Sequence, residues 1–309
     1  MPMDYPKPAY LDGTFLELGD GFHFSLRPPD AISDDRYLRS NDPWEVLACV
    51  LARAQAGVFE SLGMLVDLMH SHDRFTVWSA CAKLIGFAGS RQLQQDALSE
   101  FSDQIQDPGV LLHVSYALAG GCGLWSIPHL RAMHRAAVDD DDMRIHLQIC
   151  MSHLLEPEQG GVWFGPEEEL IVDSDLPPEF AETSIVRDQL GYEALIDAHV
   201  AALRPIFDQD GGHAILGGAR FEVEALARKL LSRISSGLEQ QTVEWERLAL
   251  EATTGLSCGG FFDSQGRLLR LAAAAILEDF LDSGQAAAYE PGVRYFFGHR
   301  IPDDAAVGD

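Results

Sequence analysis

The sequence has 309 residues, of which 47% are hydrophobic and 23% charged, and this composition excludes a largely disordered chain. Its length allows one large hydrophobic core or two smaller ones. The 48 acidic residues outnumber the 22 basic ones and give a formal net charge of −26. Such a charge disfavours binding to nucleic-acid phosphates or to an anionic membrane surface, and it attracts a basic partner. Alternatively, the charge only keeps the protein soluble. Both interpretations, partner attraction and solubility, stay open.

The five cysteines are an odd number, and no two of them form a CxxC motif. Cys49, Cys81 and Cys150 lie among apolar neighbours in predicted helices, which indicates small core residues in a reducing compartment. The first residues lack the charged and apolar regions of a secretion signal, and the apolar run 271–277 is much shorter than a membrane span. These features predict a cytoplasmic protein.

Residues 1–41 are predicted to form an N-terminal extension that contains a β-hairpin. Residues 14–18 and 22–26 alternate between apolar and polar side chains on either side of a Gly-Asp-Gly sequence. This pattern is typical of two short strands joined by a tight turn.

Three segments in the first half of the chain resemble one another. They begin at Asp73, Asp107 and Asp141, which are 34 residues apart, and each continues with an apolar helical pattern that stops at glycine or proline. A less regular copy begins at Asp42. A fixed period of this length predicts stacked pairs of helices. We therefore expect helical repeats over residues 42–157.

The partner helices of these repeats are predicted at 58–70, 91–105 and 124–138. In the third of them, Pro128 falls in the first turn, where its missing N–H group costs little. The acidic run 139–142 then forms the turn and caps the next helix, because negative charge stabilises a helix N-terminus.

The third unit resembles a HEAT repeat. Pro128 in its first helix, Asp141 in its turn and Arg144 three residues later match the pattern of that family. The other two units keep the period but have no proline in their first helix. The resemblance covers about 115 residues, and it implies a right-handed stack of antiparallel helix pairs that holds another macromolecule on a concave or ridge surface. The predicted fold class is therefore mostly α: a HEAT-like helical-repeat solenoid with a small N-terminal β-hairpin and a C-terminal helical half.

Residues 158–178 are predicted to be an acidic linker loop. The surrounding stretch 156–190 holds ten acidic residues and one arginine, together with several Gly and Pro residues. Residues 179–302 are predicted to form the C-terminal helical half, and residues 303–309 a disordered tail.

The C-terminal half is predicted to contain four helices, at 181–207, 219–235, 239–254 and 267–283. A glycine follows each of the last three, which is typical of the left-handed residue that ends a helix. The apolar segment 269–281 is predicted to be the buried helix of this half. Whether these helices are degenerate repeats stays open.

The sequence predicts no catalytic site. Neither a phosphate-binding loop nor an HExxH metal motif occurs, no GxSxG nucleophile elbow is predicted, and the His-Glu pair of the HEAT-like di-iron hydroxylases is missing. The histidines of the repeats are predicted to lie on helix surfaces or to bond to local carbonyl groups. Cys258 is interpreted as a turn residue, since a nucleophile would need a base and a lowered pKa. We therefore predict no metal and no cofactor.

The acidic stretches supply the candidate partner-binding residues. In one interpretation they form a negative rim beside the solenoid groove that accelerates encounter with a basic partner. In the other they are solvated turns, helix caps and a linker. The predicted binding residues are Asp139, Asp140, Asp142, Glu167, Glu168, Glu169, Asp173 and Asp175.

These features predict a non-enzymatic protein-binding solenoid. Small acidic cytosolic proteins with HEAT-like folds occur among the immunity proteins of bacterial toxin systems, and the chain resembles them. That resemblance implies that it neutralises a cognate toxin by binding a basic toxin domain and occluding its active cleft. The alternatives are an enzyme or enzyme accessory on a HEAT-like scaffold, such as a bilin lyase or a DNA-base glycosylase, and a general assembly scaffold. A glycosylase needs a basic concave face, which is hard to assemble at this net charge. No nucleic-acid or membrane partner is expected.

Overall fold

The computed structural model describes residues 7–11, 17–18, 21–72, 75–156, 169–170, 184–185, 189–207, 214–236 and 244–302. These residues are mostly helical, and the strands among them are two residues long. No helix in these ranges has the length and apolar character needed to cross a membrane. The α-helices are α1 (Pro43–Gln55), α2 (Met64–Ser71), α3 (Phe75–Ala88), α4 (Arg91–Glu100), α5 (Pro108–Gly120), α6 (Ile127–Ala136), α7 (Asp141–Leu155), α8 (Gln189–Phe207), α9 (Val223–Ser236), α10 (Glu244–Thr254) and α11 (Arg270–Asp282).

The predicted acidic helix starts are confirmed at three of the four positions. The side chains of Asp42, Asp107 and Asp140 accept hydrogen bonds of 2.9, 2.8 and 3.0 Å from N–H groups in the first turns of α1, α5 and α7. Each carboxylate thereby satisfies a backbone donor that has no partner inside the helix. The start predicted at Asp73 lies outside the described residues, and α3 begins at Phe75.

Helices α3 and α5 lie side by side and point in the same direction. Near their N-termini, the ring of Phe75 meets that of His113, with centroids 4.9 Å apart. Near their C-termini, a Cβ atom on Gly86 would lie 3.1 Å from the Cα atom of Gly120. The small residues at this crossing let the two backbones approach more closely than larger side chains would allow.

Helix α7 continues this layer beyond α5, and its direction is again the same. The Oγ atom of Ser115, seven residues into α5, lies 2.9 Å from Nε2 of His146, five residues into α7. Helices α2, α4 and α6 pack against the layer from one side. Helix α2 contacts α3, α4 contacts α3 and α5, and α6 contacts α5 and α7, so each of these helices touches its neighbours along the chain.

Helix α10 covers the opposite side of the α3–α5–α7 layer. The indole of Trp245 contacts Phe87 of α3, Tyr116 of α5 and His153 of α7. Phe87 lies nine residues after Trp78, which faces the α4 side, so the two rings project from opposite sides of α3. The described residues therefore form a layer enclosed on both sides, and an open solenoid is not shown.

The C-terminal half differs from its prediction in several details. Helix α8 begins at Gln189, not at 181, because Ser184–Ile185 is a strand. Residues 219–220, predicted as helix, are also a strand, and α9 begins at Val223. Helix α11 is not the buried helix of this half: it buries Ala273, Leu277 and Phe280, whereas Leu271 on its outer side is 90% exposed. The residues that follow α10 and α11 bear out the predicted stops, since Gly255 and Gly284 have φ values of +71°.

The strands form four antiparallel pairs: β1 (Glu17–Leu18) with β2 (Gly21–Phe22), β3 (Glu169–Leu170) with β4 (Ser184–Ile185), β5 (Ile215–Leu216) with β6 (Ala219–Arg220), and β7 (Tyr295–Phe296) with β8 (His299–Arg300). The predicted N-terminal hairpin is not borne out as drawn: residues 14–16 lie outside the described residues, β1 and β2 pair over two residues each, and Phe24 and Ser25 form a turn where a strand was predicted. The C-terminal pair was not predicted.

Two of these hairpins cap the C-termini of helices. The turn of β5 and β6, at Gly217 and Gly218, donates two backbone hydrogen bonds of 2.8 and 2.9 Å to the last carbonyl groups of α7. The turn of β7 and β8, at Phe297 and Gly298, donates two of 2.7 and 2.9 Å to those of α10. All four turn residues have positive φ, as a two-residue hairpin of this hand requires. The hairpins thus satisfy carbonyl groups that a helix leaves unpaired.

Candidate interaction surface

The N-terminal ends of α3, α5 and α7 lie along one edge of the molecule, because the three helices are parallel neighbours. Acidic side chains concentrate in the turns that lead into these helices. We call this surface the acidic edge, and its exposed carboxylates are Asp103, Asp107, Asp139, Asp141 and Asp142. Among the described basic groups near it, His70 lies 3.1 Å from Glu100, and Arg135 lies 2.7 Å from Glu193. The edge is therefore a negatively charged strip.

Three of the predicted binding residues lie on the acidic edge, and they differ in exposure and in hydrogen bonding. Asp139 and Asp142 are exposed. Asp140 is half-buried, and one of its carboxylate oxygens accepts a hydrogen bond from a backbone N–H group at the N-terminus of α7. Of the two predicted roles, capping is confirmed for Asp140, whereas Asp139 and Asp142 are left available for a partner.

The other predicted binding residues are not assembled with these three in the described structure. Glu167, Glu168, Asp173 and Asp175 lie outside the described residues, and Glu169 begins the short strand β3. Their contribution to binding stays a prediction.

Two exposed apolar residues on the acidic edge were missed by sequence reasoning. Phe75, at the start of α3, is 63% exposed, and Val138, directly before the acidic run of α7, is 61% exposed. A useful signal was present, since each lies within two residues of an aspartate at a predicted helix start. Aromatic side chains such as that of Phe75 are enriched in protein interfaces.

The prediction that the histidines of the repeats lie on helix surfaces or bond to local carbonyl groups holds in part: His129 is exposed, His146 and His153 are half-buried, and His113 and His134 are buried. Burial lowers the pKa of His134 and of His146 to about 4, so both are neutral at physiological pH. His113 does bond to a local carbonyl group, that of Gly109, at 2.6 Å. Among the described residues, no group of three or more His, Cys, Asp or Glu side chains is arranged to hold a metal ion.

A buried polar network joins the N-terminal segment to α10. Arg247 donates hydrogen bonds to Glu251 at 2.9 Å, to Nδ1 of His23 at 3.0 Å and to the carbonyl group of Phe22 at 2.9 Å. Burial tends to raise the pKa of Glu251, but contact with His23 and the Arg247 charge outweigh it and hold the pKa below its usual value. The backbone N–H group of Ser25 donates to the same carboxylate. The network links the N-terminal segment to α10 through side chains that are almost fully buried.

Residues 255–259 have the spacing GxSxG, and the sequence-based prediction overlooked it. A nucleophile elbow lies between a strand and a helix, whereas this segment follows α10 and leads into a 3-10 turn. Ser257 is exposed, and Cys258 is fully buried. Burial raises the pKa of the Cys258 thiol far above its usual value, which disfavours the reactive thiolate. Cys258 lies in the loop directly before this 3-10 helix, in agreement with its interpretation as a turn residue.

Comparison of the chain with protein-family models, with curated proteins and with solved structures gives no significant match. The HEAT resemblance therefore depends on the three residues of the third unit. Pro128 lies in the first turn of α6, and Asp141 is the first residue of α7. The guanidinium group of Arg144 lies 3.9 Å from the Asp141 carboxylate. These positions agree with the resemblance, and the family assignment stays a prediction.

Proposed function

We propose that this chain is a non-enzymatic protein-binding protein, an immunity protein that neutralises a cognate bacterial toxin by covering its active cleft. The acidic edge is the docking surface in this proposal, and the partner is a basic toxin domain. The helix pairs of the first half act as HEAT-like repeats that place the edge at the surface as one rigid strip.

The observation that carries this proposal is the combination of exposed carboxylates with exposed apolar side chains on the acidic edge. Phe75 and Val138 supply apolar surface that a partner would remove from water. Asp103, Asp139 and Asp142, in the turns before α5 and α7, add exposed negative charge to the same edge. Such an arrangement attracts a basic protein over a distance and gives it an apolar anchor on arrival.

The edge is favoured over the face of the helix layer because the chain itself occupies that face. Trp245 is only 5% exposed and fills the position between α3, α5 and α7 where a partner of an open solenoid would insert a side chain. Opening this face would expose a buried aromatic cluster. Binding of a partner at the acidic edge requires no such rearrangement.

Affinity purification tests the proposal. The tagged chain, expressed in its own host, should retain one basic protein in stoichiometric amount, and co-expression of the chain should restore growth to cells that produce this protein. A triple variant of the acidic edge, Asp103→Asn with Asp139→Asn and Asp142→Asn, should lose both effects. A retained protein that is not toxic would favour an assembly scaffold, and recovery of the chain alone with a bound pigment would favour a lyase.

A matched control removes the same number of charges from another surface. Glu278, Asp279 and Asp282 are exposed on α11, which packs on α9. Changing them to Gln, Asn and Asn leaves the net charge equal to that of the edge variant. If both variants lose the partner equally, net charge and not the acidic edge is responsible.

A further inference from the structure

The outer face of α11 begins with an exposed apolar surface. The helix packs on α9 with its inner face, which buries Ala273 and Leu277. On the outer face, Leu271 is 90% exposed, the highest value among the large hydrophobic side chains that the structure describes. Ala275, one turn further along the same face, is exposed as well. Contact with another molecule would remove this apolar surface from water.

The two ends of this face carry side chains of opposite charge. Glu278, Asp279 and Asp282 are exposed at the C-terminal end, and none of the three forms an ion pair with another described residue. Arg267 precedes the N-terminal end of the helix, and its side chain is 73% exposed. In chain order, the face therefore presents a cation, an apolar surface and a group of carboxylates.

A tight turn before α11 fixes the position of Arg267. One carboxylate oxygen of Asp263 accepts hydrogen bonds of 2.8 and 3.0 Å from the backbone N–H groups of Gln265 and Arg267. The other lies 2.7 Å from both Nε and Nη2 of Arg267. A guanidinium group has five N–H donors in a fixed plane, so Nη1 can bind a second carboxylate while the pair with Asp263 stays intact. Asp263 thus orients Arg267 and does not prevent a further contact.

We propose that two copies of the chain pair through this face, with their α11 helices antiparallel about a twofold axis at the level of Ala273. Leu271 of each copy then packs on Ala275 of the other, where the small side chain leaves room for it. The same register brings Asp279 of each copy to Arg267 of the other. Both contacts occur twice, as twofold symmetry requires.

A second copy is the favoured occupant because the face carries both halves of its own charge pattern. An antiparallel copy sets each cation against carboxylates, whereas a parallel copy would set carboxylates against carboxylates. The contact is small, since two helices that touch over about three turns bury less than the roughly 1,200 Å² of a standard interface. Two chains of net charge −26 also repel each other. This association is independent of the acidic edge and of the proposed toxin neutralisation.

Sedimentation equilibrium of the full chain tests the pairing. We expect a Kd of about 10–500 µM at about 0.15 M salt, where charge repulsion is screened beyond about 8 Å. The average mass should rise with concentration from the 33.9 kDa of one chain towards twice that value. A constant monomer mass up to about 1 mM would overturn the proposal. Growth beyond two chains would overturn it too, because a twofold pair is closed.

Two exposed leucines provide a variant and its control. Leu271→Gln should weaken self-association about tenfold or more, because each pair loses two apolar contacts. Leu190→Gln changes a leucine of α8 that is 83% exposed, and it should leave self-association unchanged. Neither side chain is buried enough to support the fold, so both variants should fold. Equal self-association of the two variants would show that α11 is not the contact.

An exchange of charges tests the antiparallel register. Arg267→Glu and Asp279→Arg each place like charges opposite each other in a pair of identical chains, so each variant alone should associate at least about tenfold more weakly than the wild type. An equimolar mixture of the two should recover association near the wild-type level, because both contacts then join opposite charges. A mixture that associates no better than its components would contradict the pairing. The edge variant should self-associate like the wild type, so this proposal and the proposed function can fail separately.

Discussion

The indole of Trp245 stacks on the imidazole of His153, with ring centroids 4.6 Å apart and planes 9° from parallel. This contact joins α10, in the second half of the chain, to α7, the last helix of the repeats. The same indole reaches Tyr116 at 4.8 Å and Phe87 at 5.5 Å. One side chain thus ties three helices of the layer to the helix that covers them.

Trp245→Ala should destabilise the whole protein, because it removes a buried aromatic side chain from the contact between the two halves. The expected loss is about 3–5 kcal/mol of the free energy of unfolding, measured by urea denaturation. Trp245→Phe keeps an aromatic ring at the site and should cost less than half as much. A loss below about 1 kcal/mol for the alanine variant would mean that α10 does not cover the layer.

The close approach of α3 and α5 predicts that Gly86 cannot be enlarged. A Cβ atom there would lie 2.9 Å from the carbonyl oxygen of Ala117, which is backbone and cannot move aside alone. We expect Gly86→Ala to cost about 1–3 kcal/mol in thermal or chemical unfolding. Gly63→Ala is the control, since its Cβ would meet nothing within 4 Å and its φ of −57° suits alanine. That variant should be neutral or slightly stabilising.

The acidic run before α7 predicts different roles for adjacent aspartates. Asp140→Ala removes the cap of α7 and should lower the free energy of unfolding by about 1 kcal/mol. Asp139→Ala should leave stability unchanged within about 0.5 kcal/mol, because Asp139 is exposed. Asp140→Asn keeps a capping oxygen and should recover most of the loss. Equal losses at both positions would contradict this division of roles.

The raised pKa of Glu156 predicts that the free energy of unfolding falls as the pH rises. Burial raises its pKa from 4.5 to about 8, although Ser152 and Lys229 oppose the shift. Between these two values the folded protein holds a proton that the unfolded chain has released, so the free energy of unfolding decreases as pH rises. His134 and His146, whose pKa values are lowered, act in the opposite sense below about pH 6.5.

The clean window for Glu156 is therefore pH 6.5 to 8.5. The histidines contribute equally to the wild type and to Glu156→Gln, so relative to that variant the wild type should lose about 1–2 kcal/mol across this window. Denaturant titrations at three pH values measure both slopes. The prediction fails if the two proteins show the same dependence.

The sequence predicted local features well because these depend on neighbouring residues. The caps at Asp42, Asp107 and Asp140 and the glycine stops after α10 and α11 are each encoded within a few positions. The β5–β6 hairpin could also have been predicted, since Gly217-Gly218 between short apolar segments is a hairpin signal. A helical interpretation of residues 219–235 obscured it.

The covering of the layer by α10 could not be predicted from the sequence. The Arg247–His23 contact joins positions 224 residues apart. The spacing of apolar residues along the sequence carries no information about a contact between such distant positions. The exposure of Leu271 was missed for a related reason: an apolar segment shows what a helix could bury, not what lies beside it. The candidate site was predicted in part: the acidic turns follow from the sequence, and the position of Phe75 beside a predicted helix start was a signal, but its exposure depends on which helices pack around it.

The affinity of the captured basic partner for three forms of the chain tests the central claim most directly. Calorimetry at two salt concentrations compares the wild type, the edge variant (Asp103→Asn, Asp139→Asn, Asp142→Asn) and the α11 variant (Glu278→Gln, Asp279→Asn, Asp282→Asn). We expect the edge variant to bind at least about 100-fold more weakly, with a smaller salt dependence, and the α11 variant to bind like the wild type. Unchanged affinity in the edge variant would show that the partner binds elsewhere and would contradict the acidic edge as the docking surface.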